Sequence, residues 1–529
     1  MLAAFCCTRP GRGRHAHPAH VRVGRIRQVP FQVDVYLPAA SPVLFVHVRL
    51  VNPHRRPVPM YWWSNMAVPE STDTRVLVPA TAAYSFGYGK GGLRVVPVPE
   101  VEGTDTSYTT HIDRAADFFF HIPDGERPWI AALDAEGKGL VQVSTGRLLG
   151  RKLFLWGMGT GGRRWQRFLS PPGHPYLEIQ AGLARTQMEH LPMLAGAEWS
   201  WLEAYGLMEA DPRAVHGQDW QHARQAAARG LEQLIPGDVL DAEYRRGAAL
   251  ADRAPEELYQ RGSGWGTLER LRREAGKEPP FSSPALPFDD EALGAAQAPW
   301  LGLLQGGAMP VTDPDEEPTG YMVQAEWRTL LEKAVSEGRG AHWLSWLHLG
   351  VMRAYAGERD GARQAWEMSL QSCRTPWALR NLAVLAREQG RAADAAALYV
   401  AALQMRPSLL PLAVECGRAL TDLGRHAEWL ELAQQLSEAV RARGRIRLLE
   451  GQAALAIRDL PRVERLLGEG LVIEDLREGE RSLSHLWFEY HEQHLSMAEN
   501  VPIDDALRDR VRREFPVPDE IDFRMSNDA

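Results

Sequence analysis

Residues that could carry out chemistry cluster in the segment PYLEIQAG, where polar and apolar side chains alternate. Strand spacing would place Tyr176, Glu178 and Gln180 on one face and Leu177 and Ile179 on the other. A carboxylate beside a carboxamide can hydrogen-bond several hydroxyl groups at once. The pattern predicts a polar wall for a hydroxyl-rich ligand, with Glu178 as its acid or base. The alternative is a solvated face whose side chains only bond one another.

The segment YWWSNMAVPE is a second candidate because it combines indole rings with an amide. Alternation separates Trp63 and Asn65 from Trp62. An aromatic platform beside an amide suits a sugar, whose C–H face stacks on the ring while its hydroxyls need polar partners. One of the two tryptophans must belong to the core, and we assign Trp63 to the candidate binding face.

The glycine-rich segment GMGTGGRRWQRF superficially resembles a phosphate-binding loop. No βαβ unit surrounds it and no GK[ST] motif follows, so the sequence argues against a nucleotide site. We predict a long hairpin loop that holds Arg163 and Trp165 over a groove. There they could clamp an anionic or hydroxylated ligand; the alternative is exposed arginines with no specific role.

Catalysis would require a second acid or base beside Glu178. In VLFVHVRLVN, His47 and Arg49 share one strand face, and an imidazole near Glu178 would supply the pair that opening of an aldose ring requires. A structural histidine is the alternative. A glycosidase would instead need a second carboxylate at a defined separation. Glu70 and Glu189 are the nominees for that role.

The elements that position these residues are short strands. From residue 31 onward, apolar residues alternate with polar ones, and Gly, Pro and Asp separate the runs. We therefore predict an antiparallel β-sandwich over residues 26–215. Residues 1–25 are rich in Arg, His, Gly and Pro and lack a period, so we expect them to be disordered or to come from a misplaced start codon.

The back of the chain carries a helical repeat. Gly357, Gly390 and Gly424 lie 33 and 34 residues apart, each between two helical patterns, which is the period of tetratricopeptide (TPR) hairpins. The remaining boundaries follow from composition and spacing. We predict a helical connector over residues 216–276, a Pro/Asp-rich linker over 277–320 with one short helix near 291–304, TPR-like repeats over 321–500, and a C-terminal tail over 501–529.

Composition excludes several classes of function. The 529 residues are 24% charged and 45% hydrophobic, with a net charge of −8, which argues against a polyanionic partner such as nucleic acid. Four cysteines form neither a disulfide framework nor a metal-binding spacing. No stretch reaches the roughly 20 apolar residues of a membrane span, and no secretory signal is evident. We expect a cytoplasmic protein with no membrane contact, metal or cofactor.

Several motifs occur in an order that resembles a known family. YWWSNMAVPE, TRVLVPA, KLFLWGMGTGGRRWQRFL and PYLEIQAGLARTQMEHLP, followed by EWSWLEAYG and helical repeats, are similar to the bacterial DUF5107 family over roughly residues 30–215. That family is similar to the galactose-mutarotase-like β-supersandwich of aldose epimerases and glycoside-processing enzymes. The resemblance implies that fold but assigns no residue a role. The family's first strands lie upstream of this sequence, so we expect an incomplete sandwich with an exposed apolar face.

The sequence thus predicts a bacterial carbohydrate-directed protein, in which a mutarotase-like sandwich engages a saccharide. A TPR-like α-solenoid would bind a protein partner or pack against the sandwich. As an enzyme it would be a glycoside hydrolase or an aldose epimerase. The alternative is a non-catalytic sugar-binding or protein-interaction scaffold. The candidate residues are Glu178 and His47 for catalysis, and Trp63, Asn65, Arg163, Trp165, Tyr176 and Gln180 for substrate binding.

Overall fold

A computed structural model describes residues 5–9, 17–88, 92–262, 264–280, 286 and 288–525. These residues contain 19 strands and 18 α-helices. The strands are β1 (Phe5–Arg9), β2 (His17–Val23), β3 (Pro30–Tyr36), β4 (Val43–Val51), β5 (Val58–Met60), β6 (Trp63–Pro69), β7 (Arg75–Leu77), β8 (Ala82–Gly87), β9 (Leu93–Pro97), β10 (Glu100–Val101), β11 (Thr104–Asp105), β12 (Ala116–Phe120), β13 (Trp129–Leu133), β14 (Lys138–Ser144), β15 (Gly150–Leu155), β16 (Tyr176–Gly182), β17 (Leu191–Met193), β18 (Glu198–Glu209) and β19 (Glu257–Gln260).

The helices lie mainly in the second half of the chain. They are α1 (Thr160–Leu169), α2 (Pro212–Val215), α3 (Trp220–Leu234), α4 (Gly237–Ala251), α5 (Trp265–Ala275), α6 (Ala298–Gly306), α7 (Ala325–Ser336), α8 (Trp343–Tyr355), α9 (Arg359–Ser372), α10 (Pro376–Glu388), α11 (Ala392–Met405), α12 (Leu410–Asp422), α13 (His426–Gln434), α14 (Glu438–Arg441), α15 (Gly444–Ala456), α16 (Leu460–Gly468), α17 (Ser482–Glu499) and α18 (Asp505–Glu514). The chain divides into two compact units, and the second is Ala295–Arg524.

The first unit contains the predicted antiparallel sandwich. One sheet has six strands in the order β6-β16-β15-β12-β8-β9, and the other has nine in the order β19-β1-β2-β3-β4-β18-β14-β13-β7. Apolar residues such as Leu153, Leu177 and Ile179 point from the six-stranded sheet into the shared core and are at most 1% exposed. Burial of these alternate residues explains the period-two pattern of the sequence.

Helices cover the other side of the nine-stranded sheet. On that side, Gly206 of β18 lies against Leu234 of α3, and His47 of β4 lies against Gly247 of α4. The family resemblance predicts an exposed apolar face in the sandwich. Here α3 and α4 cover apolar residues of β4 and β18 on this side of the nine-stranded sheet.

The predicted boundaries of the front domain require two corrections. Phe5–Arg9 and His17–Val23 are strands rather than disordered chain, since β1 and β2 pair with each other and extend the nine-stranded sheet. The rest of that prediction, residues 1–4 and 10–16, lies outside the described residues. The predicted helical connector also contains β19, which pairs with β1, and its helices belong to the first unit.

A helix replaces the predicted glycine-rich hairpin loop, because α1 spans most of GMGTGGRRWQRF. The glycines serve close packing here. A Cβ on Gly162 would lie 2.2 Å from the carbonyl oxygen of Trp156, so only glycine lets this helix approach the end of β15. The buried side chains of Trp165 and Gln166 then fix the helix to the sheet.

The second unit is helical and contains the predicted repeats. Gly357, Gly390 and Gly424 each follow a helix with a φ of 81°, 73° and 70°, the left-handed conformation typical of helix C-termini. Within the repeats, helices pack closely: a Cβ on Gly350 would lie 2.2 Å from Nε1 of Trp366. The predicted linker contains α6, and the predicted tail contains α18.

None of the described helices is long and apolar enough to cross a membrane. Within the same described residues, no group of three or more His, Cys, Asp or Glu side chains is arranged to hold a metal ion.

Candidate functional site

The candidate site lies on the side of the six-stranded sheet that points away from the sandwich core, which we call the outward face. Strand register arranges its side chains in two neighbouring rows. One row runs Asn65, Gln180, Lys152 and Phe119 across β6, β16, β15 and β12. The other runs Ala67, Glu178, Phe154 and Asp117 across the same strands.

A continuous chain of hydrogen bonds crosses this face. Glu178 Oε2 accepts from Asn65 Nδ2 at 2.7 Å and from Gln180 Nε2 at 2.9 Å. Gln180 Oε1 accepts from Gln187 Nε2 at 2.8 Å, and Gln187 Oε1 accepts from Lys152 Nζ at 2.8 Å. Lys152 and Glu178 are therefore connected through two carboxamides, although they lie in different rows.

The direction of these hydrogen bonds follows from the groups at the two ends of the network, the Lys152 ammonium and the Glu178 carboxylate. An ammonium group only donates and an ionised carboxylate only accepts. Gln187 must therefore turn its oxygen to Lys152 and its nitrogen to Gln180, which in turn must direct its own nitrogen to Glu178. The ends thus fix the orientation of both amides, which would otherwise be ambiguous.

Glu178 keeps hydrogen-bonding capacity for a ligand. Both donors reach Oε2, and no donor among the described residues reaches Oε1. The Asn65 amide uses its nitrogen for Glu178, so its oxygen is also left as an acceptor on an exposed residue. Two adjacent acceptors at the sheet surface can receive two hydroxyl protons from one ligand.

Trp63 provides an aromatic surface beside these acceptors. Its indole lies directly over Gly182, where a Cβ would come within 2.3 Å of the ring, and it also approaches Gly150. The ring meets Phe119 edge-to-face, with centroids 6.0 Å apart. Because the two glycines leave room for the indole against the sheet, the half-buried Trp63 lies flat beside Gln180 and Asn65.

A buried ion pair on the same face was not predicted from the sequence. Lys152 Nζ lies 2.7 Å from Asp117 Oδ1, and both side chains are less than a tenth exposed. Tyr88 donates to Asp117 Oδ2 at 3.1 Å. Burial raises the pKa of the Asp117 carboxyl, although Lys152 and Tyr88 oppose that shift. The sequence feature that could have indicated this ion pair is a single acid, Asp117, within the apolar run ADFFF.

Tyr176 lies on the outward face with Glu178 and Gln180, as predicted, but at the end of β16. Its ring meets Trp156 edge-to-face at 6.1 Å, and its carbonyl oxygen accepts from Gln166 Nε2 at 3.0 Å. The structure therefore brings Trp63, Asn65, Glu178 and Gln180 together and leaves Tyr176 at the margin.

His47 does not belong to this site. It is fully buried on the helix-covered side of the nine-stranded sheet, 5.9 Å from the ring of Tyr244 and with Nδ1 3.8 Å from Asp34 Oδ2. Strand parity correctly separated His47 from its apolar neighbours, but it could not show which face a helix covers. The expected His47–Glu178 acid–base pair is therefore wrong.

Arg163 and Trp165 are structural in this fold rather than parts of a loop over a groove. Trp165 is 2% exposed and stacks on Trp156 at 5.7 Å. Arg163 Nη2 donates to Glu70 Oε2 at 2.8 Å, which fixes α1 to the end of β6. Glu70 is therefore engaged in this contact.

Glu189, the other nominee for a second carboxylate, caps a turn. Its Oε2 accepts from both the backbone nitrogen and Oγ1 of Thr186 at 3.0 Å. Among the described residues, the carboxylate that shares the row of Glu178 is instead Asp117, with Phe154 between them.

Comparison with known proteins gives a family match for part of the first unit and a solved structure of similar fold. Residues 20–197 match the model of the family described as "Domain of unknown function (DUF5107)". A TPR-domain containing protein from Parabacteroides distasonis ATCC 8503 is similar in fold, with 17% identity, a TM-score of 0.60, and coverage of 99% of this chain and 77% of its own.

A second solved structure is an aldose 1-epimerase candidate from Escherichia coli K12. It shares 10% identity over 39% of this chain and 68% of its own, with a TM-score of 0.30, which is too low to support a conclusion. The family match and the Parabacteroides fold nevertheless agree with the motifs and the repeats. Residues 20–197 thus match the DUF5107 family model, and a TPR-like helical region follows them.

Proposed function

We propose that the outward face binds a saccharide through Trp63, Asn65, Glu178 and Gln180. The observation that carries this proposal is a pair of acceptors, Glu178 Oε1 and Asn65 Oδ1, that receive no donor from the described residues and lie beside an indole flat on the sheet. Sugar hydroxyls would donate to the acceptors while a C–H face stacks on Trp63.

The contacts within the face support binding in a fixed orientation. Asn65 and Gln180 both donate to Glu178, so the carboxylate is held in place before a ligand arrives. A preorganised acceptor loses little conformational entropy when it binds. The adjacent indole is also constrained, since Gly182 and Phe119 define its position.

Glycan binding by the full-length chain tests this proposal. A glycan array identifies the ligand, and calorimetry compares the wild type with Glu178→Ala. Because hydrogen bonds to a charged group are among the stronger ones, we expect affinity to fall about 10- to 100-fold. Met188→Ala changes an exposed neighbour and should leave affinity unchanged. Absence of glycan binding by the folded wild type would refute the proposal.

Catalysis is a separate step of the proposal, in which Glu178 acts as the acid or base of a glycoside hydrolase or an aldose epimerase. Glu178→Gln keeps the shape of the side chain and removes the ionisable group. Lost turnover with retained sugar binding would support an enzyme. A wild type that binds the glycan but neither hydrolyses nor epimerises it would support a non-catalytic binding module, which the position of His47 outside the site favours.

For the second unit we propose docking of a protein partner, as its TPR-like helical pairs suggest. Stacked helical hairpins of this type form extended surfaces that recognise peptides or other proteins. Affinity purification with residues 295–524 deleted tests the proposal: a partner that remains bound to the first unit alone would contradict it.

A further inference from the structure

An open groove of the first unit lies between strand β17 and the connection from β14 to β15. Its volume is about 530 Å³, which is within the range of sites that hold one small molecule. Most of the side chains that line it are apolar, and one is a cation: Leu149, Leu183, Leu191, Pro192, Trp199 and Arg147.

The apolar lining offers contact area to a ligand. Leu183 forms the floor, since it is 3% exposed and belongs to a buried cluster. Leu149 is 45% exposed, and Leu191 and Trp199 are half-buried. A ligand in the groove would therefore remove apolar surface from water, which favours binding.

Arg147 adds a positive charge that the protein does not neutralise locally. Its guanidinium carbon lies 5.3 Å from the ring centre of Trp199, at the distance of a cation–π contact. Among the residues that the structure describes, none forms a hydrogen bond or a salt bridge with the exposed Arg147 side chain. Glu198, the acid next to Trp199 in the sequence, lies 3.8 Å from Arg49 instead. A guanidinium stays ionised at any ordinary pH, so the groove favours an anion.

Buried hydrogen bonds fix the backbone that carries Arg147. The backbone nitrogen of Leu148 donates to the carbonyl oxygen of Thr145 at 3.2 Å. Arg151 then donates to the carbonyl oxygen of Leu148 and to Ser144 Oγ, each at 2.7 Å. Since this connection is already ordered, binding at Arg147 costs little further backbone entropy.

We propose that this groove binds a small amphipathic carboxylate, that is, an anion with an aromatic or aliphatic body. The carboxylate accepts from Arg147, whose planar guanidinium can donate two parallel hydrogen bonds to it. The apolar body packs against Leu149, Leu191 and Trp199. The inference concerns a different site from the outward face and does not depend on saccharide binding.

The size and lining of the groove favour this ligand over two others. A protein partner would need about 800 Å² of surface on each side, whereas the groove has the volume of one small molecule. A neutral sugar needs several polar partners for its hydroxyls, and the lining is mainly Leu, Pro and Trp. A carboxylate needs only one cation and an apolar wall.

Matched pairs of ligands test the inference. Calorimetry and saturation-transfer NMR on the full chain would compare phenylbutyrate with phenylbutanol, and hexanoate with hexanol. We expect each carboxylate to bind about tenfold more tightly than its alcohol, since hydrogen bonds between charged groups are stronger. In Arg147→Gln we expect the affinity for the carboxylates to fall about tenfold and that for the alcohols to stay unchanged.

Arg213→Gln is the matched control, because Arg213 is an exposed arginine of α2 outside the groove. It should bind both carboxylates like the wild type. Equal affinity of the wild type for a carboxylate and its alcohol would overturn the inference. So would an Arg147→Gln protein that binds the carboxylates as tightly as the wild type, an equal loss in Arg213→Gln, or no binding of either carboxylate at millimolar concentration. Saccharide binding on the outward face would stand in each of these cases.

Discussion

Two glutamates of the first unit, Glu178 and Glu203, illustrate how the same side chain can serve binding or structure. Both lie on strands of the sandwich and accept several hydrogen bonds. Glu178 is half-buried on the outward face, whereas Glu203 is 1% exposed between the two sheets. The difference lies in how many of their lone pairs the protein itself uses.

Glu203 has donors on both oxygens. Oε2 accepts from Ser64 Oγ and Tyr205 OH, both at 2.6 Å, and from Gln142 Nε2 at 3.3 Å, while Oε1 accepts from Trp201 Nε1 at 3.0 Å. A buried carboxylate must be paired in this way, because an unsatisfied charge in the core is costly. Because Glu203 is also only 1% exposed, a ligand cannot reach it.

The surroundings of Glu203 reinforce that structural role. Arg151 is fully buried nearby, and burial lowers its pKa to about 10, an effect that Glu203 opposes. Its guanidinium donates to the carbonyl oxygens of Leu148, Gly150 and Pro128. In Glu178, by contrast, both donors found among the described residues reach Oε2, and Oε1 of this half-buried residue receives none of them. A polar group that retains an unused acceptor is therefore the better binding candidate.

The largest expected effect that separates the two glutamates is on stability. Glu203→Ala removes the acceptor of four donors and leaves Arg151 without its nearby charge, so we expect the free energy of unfolding of the first unit to fall by about 3–5 kcal/mol. Glu178→Ala should cost less, about 1–2 kcal/mol, because Glu178 is half-buried and accepts only two hydrogen bonds. Denaturant unfolding followed by circular dichroism measures both. Equal losses of stability in the two variants would contradict the distinction between a structural and a binding glutamate.

The next largest expected loss of stability comes from removing a single hydrogen bond to Glu203. Tyr205→Phe removes the hydroxyl that donates to Oε2, and we expect a loss of about 1.5–3 kcal/mol because the acceptor is charged and buried. Tyr259→Phe is the control, since Tyr259 is 58% exposed. Thermal unfolding of the two variants side by side checks the prediction, and an unchanged Tyr205→Phe protein would contradict it.

A substitution on the outward face, Gly182→Ala, tests whether the position of the Trp63 indole matters for saccharide binding. The added methyl would meet the Trp63 indole, so we expect a loss of about 1–3 kcal/mol in stability together with weaker saccharide binding. Gly146→Ala, where a Cβ meets open space, should change neither property. Calorimetric titration would contradict the prediction if Gly182→Ala bound the glycan like the wild type.

The smallest effect concerns a titratable group in the second unit. Burial, together with His494, lowers the pKa of His491 to about 4, and its ring stacks on Phe515 at 4.2 Å. Relative to an unfolded pKa of about 6.5, the neutral ring contributes stability above that pH that is lost as the pH falls towards 4. The Tm of His491→Phe should therefore fall less over this range. Tm values of the wild type and His491→Phe that fall equally with pH would contradict this prediction.

The sequence could predict the face of Glu178 because side-chain direction within a strand depends only on parity. Tyr176, Glu178 and Gln180 follow that rule, and so do Trp63 and Asn65. The helical repeat was equally predictable, since Gly357, Gly390 and Gly424 mark local helix ends. Both features depend only on residues that are close together in the sequence.

Contacts between distant strands could not be predicted in the same way. Asp117 and Lys152 meet through the pairing of β12 with β15, and His47 is buried because α4 packs on β4. Neither relation follows from local periodicity. Trp165 was misplaced for a related reason: glycines that suggested a loop instead allow α1 to approach β15 closely.

The most direct test of saccharide binding on the outward face is NMR of the tryptophan indoles. Trp63→Phe identifies the Trp63 indole N–H signal, and the wild type is then titrated with the glycan selected by the array. We predict that this signal shifts in a saturable manner, and that Glu178→Ala weakens the response. An unshifted Trp63 signal at a glycan concentration that saturates binding would contradict the account.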